Sequence, residues 1–240
     1  MKSLILILSV IGLASASLFY TQDPTTKKYC VLLESEISGK INYKKNGTEV
    51  YSEYMFDIPA SATSTGGSCM TTTGTQLLQI DFFPNDEKTI DKKWSLMMQF
   101  KGNSEAEQSQ SFQLISYNLH VFGLTLPLFN GTDDTHVFNS TVGNEWEAGE
   151  TNGFACSSNT LKFKEGPELV FRKIKLVAEV EYAAAAFPKS LLFENCKLDS
   201  KTSDLLPIIV GAVLSGLVVL VLVAYLIGRQ RAKRQGYASV

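Results

Sequence analysis

The sequence contains four cysteines, Cys30, Cys69, Cys156 and Cys196. Their side chains could bind a metal ion or form disulfides. As thiolates they could bind zinc, but no two of them have the C-x-x-C spacing that is typical of zinc sites. Disulfides are the other chemistry open to them, and four cysteines allow three different pairings. The sequence therefore favours two disulfides in an oxidising compartment, with all three pairings open at this stage.

Two histidines and scattered carboxylates are the remaining candidates for catalysis. His120 lies opposite the apolar residues of an alternating segment, which indicates a surface position rather than a general base. Asp133, Asp134 and His136 could suggest a metal, but they lie in a polar turn between two sequons and are interpreted as a surface loop. There is no G-x-S-x-G, H-E-x-x-H or phosphate-binding glycine loop, although paired carboxylates for glycoside hydrolysis stay open. We predict no enzyme, no metal and no cofactor.

Three N-x-[ST] sequons begin at Asn46, Asn130 and Asn139. In a luminal chain they predict N-linked glycans on surface loops. A Ser/Thr-rich stretch, residues 60–75, is predicted to be a solvated loop that O-glycosylation could also modify. Because Cys69 lies within this stretch, we expect it to be tethered rather than free.

Both ends of the chain indicate how it enters and crosses a membrane. Residues 1–16 combine Lys2, an apolar core and a small-x-small end, which is typical of a cleaved signal peptide rather than a short buried helix. Residues 205–227 form an uncharged apolar stretch of 23 residues. As a helix this stretch would be about 34 Å long, enough to cross a hydrocarbon core of about 30 Å.

The charges beside the apolar stretch orient it. Asp204 precedes the stretch, and a basic run that marks the cytoplasmic side follows it: Arg229, Arg231, Lys233 and Arg234. Without Lys2 and this run, residues 17–204 hold 17 Lys and Arg against 24 Asp and Glu, a net charge of −7. Nucleic-acid binding is therefore not expected. The predicted type I chain has a signal peptide at 1–16, a luminal domain at 17–204, a span at 205–227 and a cytoplasmic tail at 228–240.

Alternation of apolar and polar residues predicts strands in the luminal domain. Asn46-Gly47 between two strand-like runs indicates a hairpin, and the one short helical pattern is EYAAAAF at residues 181–187. We predict an all-β domain, a β-prism or β-sandwich of antiparallel strands with two disulfides, plus one transmembrane α-helix. The inward-facing residues of three strands are expected to be Trp94, Leu96, Met98 and Phe100; Ile115, Tyr117, Leu119 and Val121; and Ile174, Leu176, Ala178, Val180 and Tyr182.

The span and tail, DLLPIIVGAVLSGLVVLVLVAYLIGRQRAKRQGYASV, closely resemble those of lysosome-associated membrane glycoproteins. That family has a similar IP-x-x-VG…LVAYLIGR run, a short basic tail and a terminal Gly-Tyr-x-x-Φ. The luminal part is similar in its four cysteines, its N-glycan sequons and its β-rich sequence. It departs from the best-known members in having one luminal domain rather than two joined by a Pro-rich hinge, and few sequons. The resemblance implies a β-prism with sequential disulfides, Cys30–Cys69 and Cys156–Cys196.

The last five residues, GYASV, acquire a role through this resemblance. It implies that clathrin adaptor medium subunits bind Gly236, Tyr237 and Val240 as a sorting signal, in extended form and with two side chains in pockets. An extended tail would place Tyr237 about 27 Å from Arg229. We expect a type I glycoprotein of the lysosomal and late-endosomal membrane, with a structural or organising role at the limiting membrane. It would arrive through the secretory pathway, with transient passage over the plasma membrane.

The alternative function is a trafficking chaperone that sorts a partner membrane protein through adaptor-dependent endocytosis. Its partner would bind the luminal domain or the span, where small residues four apart could contact another helix or could simply be tolerated: Gly211, Ala212, Ser215 and Gly216. Steady-state location discriminates the two classes, because a shuttle also populates the surface. A third class, an adhesion or scavenger receptor, would need a ligand site that the sequence does not indicate.

Overall fold

The computed structural model describes residues 16–44, 51–64, 66–70, 74–87, 92–102, 112–122, 135–140, 146–149, 152–164, 166–199 and 205–235. One compact unit ends at Cys196, and a second begins at Lys197. The first is built from two β-sheets, with strands numbered in chain order. Sheet A contains β1 (Ser17–Gln22), β2 (Tyr29–Lys44), β3 (Tyr51–Ile58), β9 (Gly153–Lys162), β10 (Glu168–Val177) and β11 (Phe193–Asn195). Sheet B contains β4 (Gln76–Phe82), β5 (Trp94–Gly102), β6 (Phe112–Phe122), β7 (Thr135–Asn139) and β8 (Glu147–Ala148).

The long strand β2 organises sheet A. β10 pairs with one edge of β2, and β1 and β3 follow one another along its other edge, all antiparallel. β9 lies beyond β10, and the short β11 runs parallel to β9. The β2–β3 pairing bears out the hairpin expected around Asn46-Gly47, although the turn itself lies outside the described residues.

Sheet B is antiparallel, in the order β4, β5, β6 and β7. β8 pairs with β6 at Phe112 and Gln113, whereas β7 pairs with residues 118–122 of the same strand. The alternation predicted for β5 is confirmed, because Trp94, Leu96, Met98 and Phe100 are all fully buried.

Side chains of both sheets form one apolar core. Phe56 of β3 contacts Trp94 of β5 at a ring-centroid distance of 5.1 Å and Phe82 of β4 at 6.0 Å. The Trp94 indole N–H donates to the Phe122 carbonyl at 3.0 Å, so this buried polar group is paired. The prediction of an all-β domain is confirmed.

Among the described strands, β-bulges in β6 and β10 change which residues face the core. In β6 the pairing with β5 shifts between Gln99 and Phe100, so that Leu114 and Tyr117 point inward and Ile115 is exposed. The expected inward position of Ile115 is therefore wrong. A bulge adds one residue to a strand, which moves the following side chains to the opposite face.

The second bulge lies in β10, between Arg172 and Lys175. Phe171 is buried before it and Ile174 after it, so the inward positions change from odd to even numbers. β10 ends at Val177, and the predicted strand therefore does not reach Tyr182. Residues 181–187 contain bends and an isolated bridge rather than the helical turn indicated by EYAAAAF.

The Ser/Thr-rich segment is more ordered than a solvated loop. Thr63 pairs with Asp81 and Ser68 pairs with Leu77, so the segment covers the free edge of β4. An uncovered edge strand would leave its backbone N–H and C=O groups open to another chain. This pairing explains why the segment is held in place on sheet B.

The second unit contains a long helix, α1 (Leu205–Gln235). Within it, Ile208–Arg229 is long and apolar enough to cross a membrane, with 22 residues and a mean hydropathy of 2.8. The helix continues past the predicted end of the span at residue 227. The boundaries of signal peptide, luminal domain, span and tail stay predictions.

Candidate functional site

The first disulfide joins Cys30, near the start of β2, to Cys69. Their Cα atoms are 5.6 Å apart, within the usual range of about 4.4–6.8 Å. Cys30 is buried, and Ser68, next to Cys69, pairs with Leu77 of β4. The disulfide therefore ties sheet A to the segment that covers the edge of sheet B.

The second disulfide joins Cys156 of β9 to Cys196, which directly follows β11. Both cysteines are buried, and the Cys196 N–H donates to the Ala155 carbonyl at 2.9 Å. This disulfide holds the three-residue strand β11 against β9. The structure thus contains the same two pairs that the family resemblance implies.

The two disulfides also bear on the zinc alternative. All four sulfurs are bonded in pairs and are therefore not the thiolates that zinc binds. The disulfides account for all four cysteines.

The two histidines do not form a common site. In the pairing of β6 with β7, His120 lies opposite Val137, and His136 lies opposite Val121. Successive residues of a strand point to opposite faces, so the two imidazoles lie on opposite faces of sheet B. Asp133 and Asp134 lie outside the described residues.

Asn139 is the one predicted glycan acceptor within the described residues. It is the last residue of β7, and its side chain is exposed. Its carbonyl accepts a hydrogen bond from the Lys164 N–H at 3.0 Å, and the next residue, Ser140, donates its N–H to Tyr117 at 2.9 Å. The backbone is held while the side-chain amide faces solvent, which glycan attachment requires. Asn46 and Asn130 lie outside the described residues.

We expect Asn139→Gln to remove one N-linked glycan, because the acceptor amide nitrogen is exposed on a fixed backbone. The measurement is electrophoretic mobility with and without glycosidase treatment. Ser140→Ala is the matched control, since it occupies the variable position of the sequon and should leave the glycan in place. Unchanged mobility of Asn139→Gln would contradict the assignment.

Helix α1 has the properties of a membrane anchor. Its described side chains, from Ile208 to Arg229, are exposed on all sides, which suits a lipid environment. The Ser215 hydroxyl donates within the helix, with the Gly211 carbonyl at 2.9 Å and the Ala212 carbonyl at 3.0 Å. Ser215 is therefore satisfied without a partner helix.

The sorting residues Gly236, Tyr237 and Val240 lie outside the described residues, but the helix before them is described. It runs through the basic run to Gln235. From Arg229 to Gln235, six helical residues advance about 9 Å at about 1.5 Å each, much less than an extended tail would. The expected extended conformation is therefore wrong for residues 229–235.

These features define a class of protein: a disulfide-bonded β-sandwich domain followed by one apolar helix of membrane-spanning length. Comparison with known proteins shows which family the chain resembles. The family model described as "Lysosome-associated membrane glycoprotein 2, transmembrane segment" matches residues 206–238. Lysosome-associated membrane glycoprotein 1 of Gallus gallus is 29% identical over 215 residues, which cover 88% of this chain and 45% of that protein. The chain thus spans about half the length of this relative.

Solved structures show the same fold. The membrane-proximal domain of mouse lysosome-associated membrane protein 1 has a TM-score of 0.56 at 18% identity, covering 77% of this chain and 98% of that one. The membrane-distal domain of mouse lysosome-associated membrane protein 2 has a TM-score of 0.54 at 17% identity, covering 75% of this chain and 98% of that one.

The match to the transmembrane segment, the similar relatives and the shared luminal fold together support placing this chain in the lysosome-associated membrane glycoprotein family. This likeness and the helix of membrane-spanning length support a lysosomal membrane glycoprotein. The relatives are named as membrane glycoproteins and not as enzymes.

Proposed function

We propose that this protein has a structural role at the limiting membrane of lysosomes and late endosomes, and that its C-terminal Gly236-Tyr237-x-x-Val240 delivers it there. The observation that carries the proposal is the order of parts along one chain. A compact disulfide-bonded domain precedes the membrane helix, and a basic run and a terminal tyrosine motif follow it.

The domain itself supports a structural role rather than an enzymatic one. Its two disulfides close loops of similar length, with sequence separations of 39 and 40 residues. Cross-links of this kind stabilise a domain chiefly by restricting its unfolded state. A covalently braced β-sandwich is suited to long residence in a compartment that contains proteases, because cleavage often requires local unfolding.

The delivery signal is proposed on the position of the tyrosine motif. α1 extends through the basic run, whose cations interact favourably with anionic lipids of the cytoplasmic leaflet. Gly236 and the four residues Tyr237–Val240 follow this run in the sequence. An adaptor medium subunit would bind them as an added strand, with Tyr237 and Val240 as the two anchors.

Imaging tests the proposed location. A tag inserted between Ala16 and Ser17, at the start of the proposed mature chain, should overlap a lysosomal marker at steady state, with little label at the cell surface. The matched control carries the same tag after Val240, where added residues should obstruct the terminal motif and shift label to the surface. A large surface or vesicle population of the first protein would contradict the structural role and favour the trafficking chaperone.

A further inference from the structure

The chain leaves sheet A through an unusual backbone conformation at Glu179. Its φ of 57° lies in the left-handed region, which few non-glycine residues adopt. After this turn, the Val180 N–H donates to the Cys30 carbonyl at 3.4 Å, and the Tyr182 N–H donates to the Tyr29 carbonyl at 2.9 Å. Glu179 thus projects from sheet A while the residues after it return to β2.

Two contacts join Glu179 to sheet B. Its backbone N–H donates to Oε1 of Gln76, the nearly fully buried first residue of β4, at 2.8 Å. Its carboxylate accepts a hydrogen bond from the backbone N–H of Gly102, the last residue of β5. A Cβ atom at Gly102 would lie 3.2 Å from the Glu179 Cδ, so the carboxyl group packs directly on bare backbone. Glu179 therefore bridges the two sheets at the ends of β4 and β5.

The carboxyl group is poorly compensated as an anion. Its Oε1 is buried and has no hydrogen-bond partner within the described parts of the chain. A charged oxygen without a partner in a medium of low dielectric is costly, and protonation removes the charge. Burial raises the pKa of Glu179 above its ordinary value, and the Gly102 hydrogen bond offsets this only in part.

The neighbouring charges are engaged elsewhere or exposed. A cavity of about 420 Å³ beside the Cys30–Cys69 disulfide is lined by Glu179 and by three other charged residues, Asp23, Lys28 and Glu181. Lys28 binds Glu181 at 2.5 Å, and the Asp23 carboxylate accepts the N–H groups of two threonines in its own turn. On β5, Lys101 precedes Gly102 and has an exposed side chain. Among the described residues, Glu179 forms no ion pair that would hold it ionised.

We propose that Glu179 is an acid-responsive clasp between the two sheets, one that fits the junction better when its carboxyl group is protonated. Because burial raises the pKa of this group in the folded state, the folded domain binds the proton more tightly than the unfolded chain does. The resulting stabilisation is complete below the ordinary pKa of glutamate and is lost as the pH rises through the raised, folded-state pKa. The clasp would thus stabilise the junction of the two sheets most in an acidic lumen. Only this physiological role rests on the proposed location.

Thermal unfolding of the full chain in detergent micelles tests the clasp. Both tryptophans of the chain, Trp94 and Trp146, are buried in the β domain, so their fluorescence reports its unfolding. At about pH 7 we expect Glu179→Gln, which mimics the protonated form, to melt roughly 2 °C or more above the wild type. Below about pH 4, under the ordinary pKa of glutamate, the two should melt together. The control Glu181→Gln, at an exposed residue of the same cavity, should show the wild-type pH dependence.

Two results would overturn the proposal. In one, the melting temperature of Glu179→Gln rises on acidification as much as that of the wild type. In the other, Glu179→Gln melts below the wild type at neutral pH.

A second measurement uses the wild type and needs no variant. The amide resonance of Gly102 should titrate with a midpoint above the ordinary glutamate value of about 4.3. A midpoint at or below that value, or no titration, would also overturn it. Neither experiment depends on delivery to lysosomes, so failure of the clasp and failure of the proposed function are distinguishable.

Discussion

Removal of the second disulfide, by Cys156→Ala together with Cys196→Ala, is expected to lower the free energy of unfolding by about 4 kcal/mol. The loop that it closes spans 40 residues, and the unfolded chain regains most of its freedom when the cross-link is lost. Typical domains have only about 5–15 kcal/mol of stability. The variant should therefore be retained early in the secretory pathway, and β11 should be the first element to detach because it has only three residues.

Two measurements check this expectation: denaturant unfolding followed by tryptophan fluorescence, and the sensitivity of the N-glycans to an endoglycosidase that cleaves only immature forms. Ser158→Ala is the matched control, an exposed position on the same strand as Cys156. Wild-type protein in reductant should lose stability, whereas the double variant should lose only the part due to Cys30–Cys69. Normal delivery of the variant, or a change below about 1 kcal/mol, would contradict the bracing role. A crossed link such as Cys30 to Cys156 in peptide maps would contradict the pairing itself.

Alternation of apolar and polar residues predicted the buried face correctly in strands that have no bulge. In β5, Trp94 to Phe100 alternate without interruption, and every predicted core residue is buried. In β6 the same reasoning failed at Ile115, because a bulge depends on the register of the partner strand and leaves no pattern within the strand itself. Periodicity gives the face of a strand only until the register changes.

Local sequence patterns could not predict which distant segments pair with each other. The Ser/Thr-rich segment has the composition of a loop, yet Thr63 and Ser68 pair with β4, which follows it in the chain. The order of the sheets, with β10 inserted between β2 and β9, likewise depends on contacts between residues more than a hundred positions apart. The cysteines alone left three pairings open, and only the family resemblance implied the one that the structure contains.

No sequence pattern marks Glu179 as a functional residue. In EVEY it resembles the outward-facing polar residue of a strand that alternates with Ala178 and Val180. Its character comes from the positive φ and from burial against Gly102, which depend on sheet B. The tail is the opposite case, because its proposed role rests on the sequence alone. Gly236 to Val240 lie outside the described residues, which end with the helix at Gln235.

Tyr237→Ala is expected to move the protein from lysosomes to the cell surface. The substitution removes the ring and hydroxyl group that would fill the adaptor's deeper pocket, and loss of such an anchor costs roughly 2 kcal/mol or more. That free energy corresponds to about a thirty-fold loss of affinity. Val240→Ala should have the same effect more weakly, because it removes only two methyl groups. Surface biotinylation, with the internally tagged chain, measures the redistribution.

The matched controls separate loss of the signal from general damage to the tail. Tyr225→Ala removes the same side chain from the membrane helix and should leave delivery unchanged. Exchange of Ala238 and Ser239 should also change little, because these residues lie between the two anchors and a bound strand directs them away from the anchoring pockets. If Tyr237→Ala reached lysosomes as the wild type does, GYASV would have no part in delivery. The sorting signal would then have to lie in the luminal domain or the span. The next hypothesis to test would be that a partner protein binds there and carries the chain to lysosomes.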